Sequence, residues 1–295
     1  MQSNNPVFRR SEEFNRPGAN AYGNQGYYGS DPSSWGVGAP GDTGVGYAPT
    51  PQPVRSGPMT IDTVVQKTGL TLGVVIVAAM ATWILTPSIE TTTDAFGNTS
   101  VDTSGLGALF AAATIGSLGA FALSMVNSFK RVISPALVLA FAVFEGIALG
   151  GLSKVFNIAY PDGNVVQGAV IGTFAAFAGT LTAYKVLDIK VTAKFQKFVI
   201  AAVFGMIGLS LMELVLGLFG AQIGLFGVSG LGMITAVAGL VLGVFMLIMD
   251  FDFVEQGIRN GLPERESWRA AFAMTISLVW IYTNLLRILA YFQQD

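Results

Sequence analysis

Long apolar stretches alternate with short polar breaks from residue 59 to the end of the chain. Seven stretches are long enough, at about 20 residues, to cross a lipid bilayer as a helix. The breaks between them carry the Gly, Pro, Asn and charged residues that end helices, as in TPSIETTTDAFGNTS. The pattern predicts an all-α membrane protein, a seven-transmembrane-helix bundle over residues 59–295. The predicted helices lie at about 65–86, 105–127, 134–155, 165–187, 198–219, 229–250 and 270–292.

Residues 1–58 follow a different pattern, rich in Gly, Pro, Tyr, Asn and Ser and without a sustained apolar period. Such a segment buries too little apolar surface to offset the entropy lost on ordering. We therefore expect a disordered cytoplasmic N-terminal tail. It is either simply solvated, or it binds a partner or itself through its tyrosines.

The 16 Lys and Arg residues predict the orientation in the membrane, because these residues accumulate in cytoplasmic loops. With seven crossings and a cytoplasmic N-terminus, only Lys154 and Arg287 fall on the extracytoplasmic side. The prediction is a multi-pass protein of the cell inner (plasma) membrane with an extracytoplasmic C-terminus. Because Arg287 weakens the last crossing, a short or re-entrant final segment is the alternative. The cytoplasmic residues are Arg9, Arg10, Arg16, Arg55, Lys67, Lys130, Arg131, Lys185, Lys190, Lys194, Lys197, Arg259, Arg265 and Arg269.

The amino-acid composition further narrows the set of possible functions. Only 12% of the residues are charged, against about 25% in soluble domains. The chain has no Cys and no His, which excludes disulfides, thiolate metal sites, H-E-x-x-H proteases and Ser–His catalysis. It carries no phosphate-binding fingerprint and no basic patch with interleaved aromatic residues. We expect neither an enzyme, nor a cofactor, nor a nucleic-acid partner.

A few ionisable residues fall inside or at the ends of the predicted spans, where each charge costs roughly 2.5–3.5 kcal/mol on insertion scales. Glu213 and Arg287 both lie nearer the outer leaflet, so we expect them to form a structural ion pair. Glu145 has no cation at its depth. It either keeps its proton or faces a water-filled or ion-binding cavity.

The seventh stretch carries polar residues at intervals of three and four, which places them on one face of a helix. A polar face on a spanning helix belongs inside the bundle, so this segment is predicted to be a central last helix. The residues are Ser277, Trp280, Asn284, Arg287 and Tyr291.

The sequence MDFDFVEQG places Asp250 and Asp252 at the end of the sixth stretch. On a helix, residues two apart point about 200° from each other, so the two aspartates are unlike a proton-sharing pair. Asp252 shares its face with Glu255, which can pair with Arg259, and that set is typical of a solvated surface. Asp250 points inward. If the helix ends here, a carboxylate meets the unfavourable end of the helix dipole, and a bound cation, a proton or a nearby lysine would offset the conflict.

Several separated segments carry a family resemblance. KRVISPALVLAFAVFEGIALGGLS, MDFDFVEQGIRNGLP and ESWRAAFAMTISLVWIYTNLLRIL resemble the Bax inhibitor-1/YccA family of the transmembrane Bax inhibitor motif superfamily. The opening NPVFRRSEEF is similar to a bacterial, actinobacterial-type branch. The resemblance implies a seven-helix bundle with a central last helix and a pH-sensitive calcium leak.

The resemblance also implies a pH sensor, in which aspartates on the sixth and seventh helices share a proton and close the pore. Asp250 fits the sixth-helix position better than Asp252 does. The seventh helix has no acid, and Ser277, Ile281 or Asn284 stands near the expected place. Asn284 could offer its carbonyl oxygen to a cation or to a protonated Asp250.

Two functions remain open. The first is a calcium (cation) leak or proton-coupled pathway lined by Asp250, Glu145 and Asn284, with calcium bound transiently at Asp250. The buried acids are too few for the six to eight oxygens of a tight calcium site. The second is a non-transporting regulator that binds other membrane proteins, such as a membrane protease, through its tail. In both cases the lipid bilayer is the main surrounding partner.

Overall fold

The computed structural model describes residues 57–87, 91–93, 99–101, 104–161, 163–221 and 223–294. Seven helices in this part of the chain are long and apolar enough to cross a membrane, which confirms the predicted fold class. They are α1 (Ile61–Leu85), α2 (Ser104–Phe129), α3 (Pro135–Ala159), α4 (Val165–Val186), α5 (Ala193–Leu218), α6 (Gly230–Arg259) and α7 (Ser267–Tyr291).

Three short elements were not predicted. In the α1–α2 connection, strands β1 (Thr91–Thr93) and β2 (Thr99–Val101) pair antiparallel, and a 3-10 helix (Glu264–Glu266) leads into α7. The predicted tail falls outside the described residues except for Gly57 and Pro58.

Helix α6 continues nine residues beyond the predicted end at residue 250. The helix ends at Arg259, and Gly261 just beyond it has a left-handed backbone (φ 62°), a conformation that glycine adopts without a side-chain clash. The Leu262 N–H then donates to the Gly257 carbonyl over 2.9 Å, closing the terminal turn. Asp250 therefore lies about two and a half turns inside the helix, so its carboxylate does not meet the unfavourable end of the helix dipole.

Helix α7 is central, as predicted. It packs against α1, α3, α4 and α6, whereas α2 packs mainly on α3, and α5 packs on α6. Its buried residues continue around most of the helix, and an apolar cluster joins Met274, Leu278 and Ile281 of α7 to Leu247 and Phe251 of α6.

Small residues allow α1 and α3 to approach closely. A Cβ atom built at Gly150 would lie 2.8 Å from the Thr82 Cβ, and one at Gly146 would overlap the backbone of α1. This is the close packing that glycines permit between membrane helices.

A short segment before α1, the N-terminal strap (Gly57–Thr60), is bound to the α6–α7 connection. The Met59 N–H donates to the Leu262 carbonyl over 2.7 Å, and the Glu264 N–H donates to the Gly57 carbonyl over 2.8 Å. The Met59 side chain is only 2% exposed and joins the α6–α7 apolar cluster. The strap thereby fixes the start of α1 against the turn between α6 and α7.

The two ends of the bundle differ in charge. At one end, here called the basic end, the strap meets the α6–α7 connection, and Arg269 donates to the Arg131 carbonyl of the α2–α3 connection over 3.0 Å. At the opposite end, Lys154 donates to the Trp83 carbonyl over 2.9 Å, where its charge complements the C-terminus of α1. This distribution agrees with the predicted charge asymmetry. Which end faces the cytoplasm stays a prediction.

Candidate functional site

Asp250 and Ser277 meet where α6 packs against α7. The Ser277 hydroxyl donates a hydrogen bond to the Asp250 Oδ2 over 2.6 Å. Asp250 is nine residues from the last residue of α6, and Ser277 is ten residues from the first residue of α7. At 1.5 Å per residue, both lie about 14 to 15 Å from the basic ends of their helices. The contact therefore joins the two helices well inside the bundle.

The surroundings of this contact are mainly apolar. Ser277 is buried and Asp250 is half-buried, and Leu247, Phe251 and Leu278 belong to the cluster around them. Among the described residues, the ion pairs do not include Asp250. The polar contact of the Asp250 carboxylate is the hydrogen bond that the Ser277 hydroxyl donates.

Of the three α7 residues named for the place of a second acid, Ser277 is the one that bonds Asp250. Of the three candidates left open, Ile281 is a buried apolar residue, and Asn284 lies two turns farther along α7. The Asn284 amide donates to the Trp280 carbonyl over 2.7 Å and packs on Gly239 of α6. Asn284 therefore does not make the suggested contact with Asp250, because it lies two turns along α7 from Ser277, the residue that Asp250 contacts.

Asp252 lies on the other side of α6, as helical geometry predicted. It accepts a hydrogen bond of 2.6 Å from the Gln256 side chain, and Glu255 forms an ion pair with Arg259. The Tyr184 hydroxyl of α4 donates to Glu255 over 2.6 Å, a contact that spacing within α6 could not reveal. Asp252 thus belongs to a polar surface near the basic end.

Glu145 of α3 lines a cavity of about 340 Å³ between α2, α3 and α7. The cavity also presents the hydroxyls of Ser117, Ser124 and Thr283 and the indole of Trp280. Trp280 donates its N–H to the Gly239 carbonyl over 2.8 Å, so its ring stands between this cavity and α6. Glu145 therefore lines a cavity, and whether it keeps its proton or faces water or an ion there stays a prediction.

Glu213 and Arg287 do not form the predicted ion pair. Arg287 instead donates bonds of 2.8 Å to the Leu225 and Gly232 carbonyls and to the Thr235 hydroxyl. Its guanidinium also lies 5.2 Å from the centre of the Phe226 ring.

The Glu213 carboxylate is bound to the same α5–α6 connection from the other side. It accepts a bond of 2.7 Å from the Gly224 N–H, next to the Leu225 carbonyl that Arg287 binds. Backbone groups of the connection thus replace the direct charge pair. The two side chains share a depth in the bundle but not a contact.

Metal binding by a preformed carboxylate cage has no support in this part of the chain. Within the described ranges, no group of three or more Asp or Glu side chains could hold a metal ion. Asp250, Glu145 and Glu213 have separate surroundings.

In the part of the chain that the structure describes, seven helices long and apolar enough to span a membrane, the last of them central, define a multi-pass integral membrane protein. The family model described as Bax inhibitor 1 like matches residues 5–294, and the chain belongs to this family. The match begins within the predicted tail and covers all seven helices. No curated protein matches the chain. The bacterial, actinobacterial-type branch stays a prediction.

Proposed function

We propose that the chain is a pH-sensitive cation leak of the plasma membrane, with calcium as the ion, controlled at the contact between Asp250 and Ser277. The observation that supports it best is the 2.6 Å hydrogen bond between these side chains across α6 and α7. Ionisable residues at membrane depth are costly and commonly mark ion or proton pathways.

The oxygen ligands of Asp250 and Ser277 suit a calcium ion that passes through better than one that is tightly bound. A serine hydroxyl both donates and accepts hydrogen bonds, so Ser277 can bind either protonation state of Asp250. Together they offer a carboxylate and one hydroxyl, whereas calcium takes six to eight oxygen ligands. Water would supply the remaining ligands, so calcium would bind weakly and leave readily.

Control of the passage follows from the packing around the pair. Between Asp250 and the basic end lie Phe251, Met274 and Met59, all buried in one apolar cluster. A hydrated cation cannot cross this layer unless α6 and α7 separate. A change in the charge or hydrogen bonding of Asp250 acts directly on the contact that holds those helices together.

Glu145 lines a second polar region along the proposed path of the cation. Its cavity adjoins α7 one helical turn from Ser277, and the Trp280 ring separates the cavity from α6. A rotation of Trp280 would connect the two regions. Asn284 lies farther from Asp250, bonds the Trp280 backbone carbonyl and accepts a bond from Arg287, so it does not line the route in this proposal.

Calcium uptake into proteoliposomes tests the proposal. Asp250→Asn keeps the side-chain shape and removes the charge, and it should abolish the pH dependence of uptake. Asp252→Asn is the matched control, two residues away on the polar surface, and should retain it. Uptake no faster than in protein-free liposomes, or equal pH dependence in both variants, would contradict the leak.

A second candidate is a non-transporting regulator that binds other membrane proteins, such as a membrane protease. The strap favours it, because residues 1–56 join the described chain where Gly57 is bonded to the α6–α7 connection. Removing residues 1–56 should then abolish capture of the partner while the helices stay folded. Calcium uptake lost in Asp250→Asn, with capture unaffected by the deletion, would instead favour the leak. Neither function requires catalysis.

A further inference from the structure

A groove of about 490 Å³ runs between α1 and α4. Its floor is formed by α3 and α7, at Leu149, Ser153, Leu278 and Tyr282. This volume is within the range of about 300–1,000 Å³ that small-molecule sites occupy. The groove lies mainly on the side of α7 away from Ser277, and Val279 of α7 lines both this groove and the Glu145 cavity.

The groove is continuous with the surface that faces lipid. Its α1 wall includes Ile76, Met80 and Ile84, and its α4 wall includes Val170 and Phe174. All five are large apolar residues with exposed side chains. In a seven-helix membrane protein such residues are covered by lipid chains, so hydrocarbon reaches the groove from the side.

The polar atoms of the groove are arranged by depth. On the floor, the Ser153 and Tyr282 hydroxyls bond each other over 2.6 Å, which leaves them satisfied without a ligand. Asn157 and Gln167 line the groove two residues from the end of α3 and from the start of α4. The groove thus has an apolar interior and an amide-lined mouth at the end opposite the basic end.

We propose that this groove binds one acyl chain of a bilayer phospholipid, which enters sideways between α1 and α4. The chain lies along the apolar walls, and the ester region of the lipid lies beside the Asn157 and Gln167 amides. Each buried methylene contributes about 0.8 kcal/mol relative to water, although lipid in the bilayer competes for the same gain. The shape of the groove and its polar mouth therefore decide which lipid binds.

The amide-lined mouth of the groove and the strap lie at opposite ends of the bundle. A bound chain would contact Leu278 and Tyr282 of α7 whether or not the protein conducts ions. The proposal for this groove therefore does not rest on the proposed leak.

Photocrosslinking tests the proposal. The full chain is placed in phosphatidylethanolamine and phosphatidylglycerol vesicles with a trace of phosphatidylglycerol that carries a diazirine in its acyl chain. After irradiation, labelled residues are mapped by mass spectrometry. Labelling should concentrate on the groove-facing residues of α1 and α4, rather than on equally exposed residues of α2 and α5.

Two neighbouring residues of α4 provide a matched pair of variants. Val170→Trp projects a large side chain into the groove and should reduce groove labelling by about fivefold. Ile171→Trp adds the same side chain outside the groove lining, at a residue 69% exposed, and should leave labelling unchanged. Phe174→Trp, one turn along the groove wall, repeats the test if Val170→Trp does not fold.

Three results would overturn the proposal. The first is labelling that follows exposure on all helices and is equal in Val170→Trp and Ile171→Trp. The second is a crosslink from the groove to a second copy of the chain, which would assign the groove to self-association. The third is groove labelling by a diazirine fatty acid but not by the diazirine phospholipid.

Discussion

The Ser277 hydroxyl of α7 bonds the Asp250 carboxylate of α6 over 2.6 Å, and Ser277 is one of three α7 residues near the place of the second acid that the family resemblance implies. At this contact a neutral hydroxyl, rather than an acid, faces Asp250. Asp250 alone therefore supplies the negative charge of this contact, and the proton-sharing step has no second acid.

Ser277→Asp should restore the missing acid. Two ionised carboxylates at this distance repel by more than about 1.4 kcal/mol, which is about tenfold in an equilibrium constant. Sharing a proton holds α6 and α7 together, and loss of that proton drives them apart. Calcium uptake should therefore rise more steeply with increasing pH than in the wild type. Ser277→Asn is the neutral control, and the same pH profile in both variants would contradict the assignment.

Ser277→Ala should destabilise the bundle. The substitution removes the hydroxyl and leaves a half-buried carboxylate without that partner, at a cost of about 1–3 kcal/mol. The midpoint of thermal unfolding in detergent measures the effect. Ser210→Ala is a suitable control, because the exposed Ser210 hydroxyl donates only to the Met206 carbonyl of its own helix. Equal midpoints for the two variants would show that the bond does not hold α6 against α7.

Arg287→Ala should release the α5–α6 connection. The substitution removes the bonds to the Leu225 and Gly232 carbonyls and to Thr235, so amide exchange around Leu225 should accelerate by at least about tenfold. Glu213→Gln keeps a side-chain oxygen that can accept from the Gly224 N–H, and it should change exchange much less. If the two variants were equally disruptive, a direct charge interaction would have to be reconsidered.

Lys154→Met should weaken the end of α1. The Lys154 ammonium donates to the Trp83 carbonyl and, over 3.1 Å, to the Thr86 hydroxyl, so its loss should cost about 1–2 kcal/mol. Lys185→Met, at an exposed residue near the basic end, is the control. A melting temperature lowered only by Lys154→Met is the expected result. Equal melting temperatures would argue that solvent, rather than α1, satisfies this lysine.

Met59→Ala should loosen the strap. Met59 is almost fully buried, and truncation of such a side chain typically costs about 2–5 kcal/mol. Limited proteolysis near residue 57 should become faster than in Ile61→Ala, because the Ile61 side chain is exposed. Cleavage at the same rate in both variants would mean that the backbone bonds alone retain the strap.

Much of the architecture follows directly from the sequence. The length of the apolar stretches identified seven helices, and the polar face of residues 277–291 identified the central helix. The 200° separation between Asp250 and Asp252 correctly placed them in different surroundings, because that angle depends only on helix geometry.

The errors concern relationships between helices. Glu213 and Arg287 were placed at similar depth, but sequence spacing does not reveal that backbone groups of the α5–α6 connection lie between them. The sequence could have identified Ser277, rather than Ile281 or Asn284, as the residue of α7 that contacts Asp250. RNGLP is typical of a helix end, with Gly261 as the terminating residue. Counting equally back from Arg259 and forward from Ser267 then brings Asp250 opposite residues 276–277.

The strap gives the N-terminal segment a mechanical connection to the helix pair. Because Gly57 and Met59 are hydrogen-bonded to Glu264 and Leu262, tension applied to residues 1–56 is transmitted to the turn between α6 and α7. That turn lies about 14 Å along α6 from Asp250. The force therefore acts on α6 and α7, the same two helices that the hydrogen bond between Asp250 and Ser277 holds together.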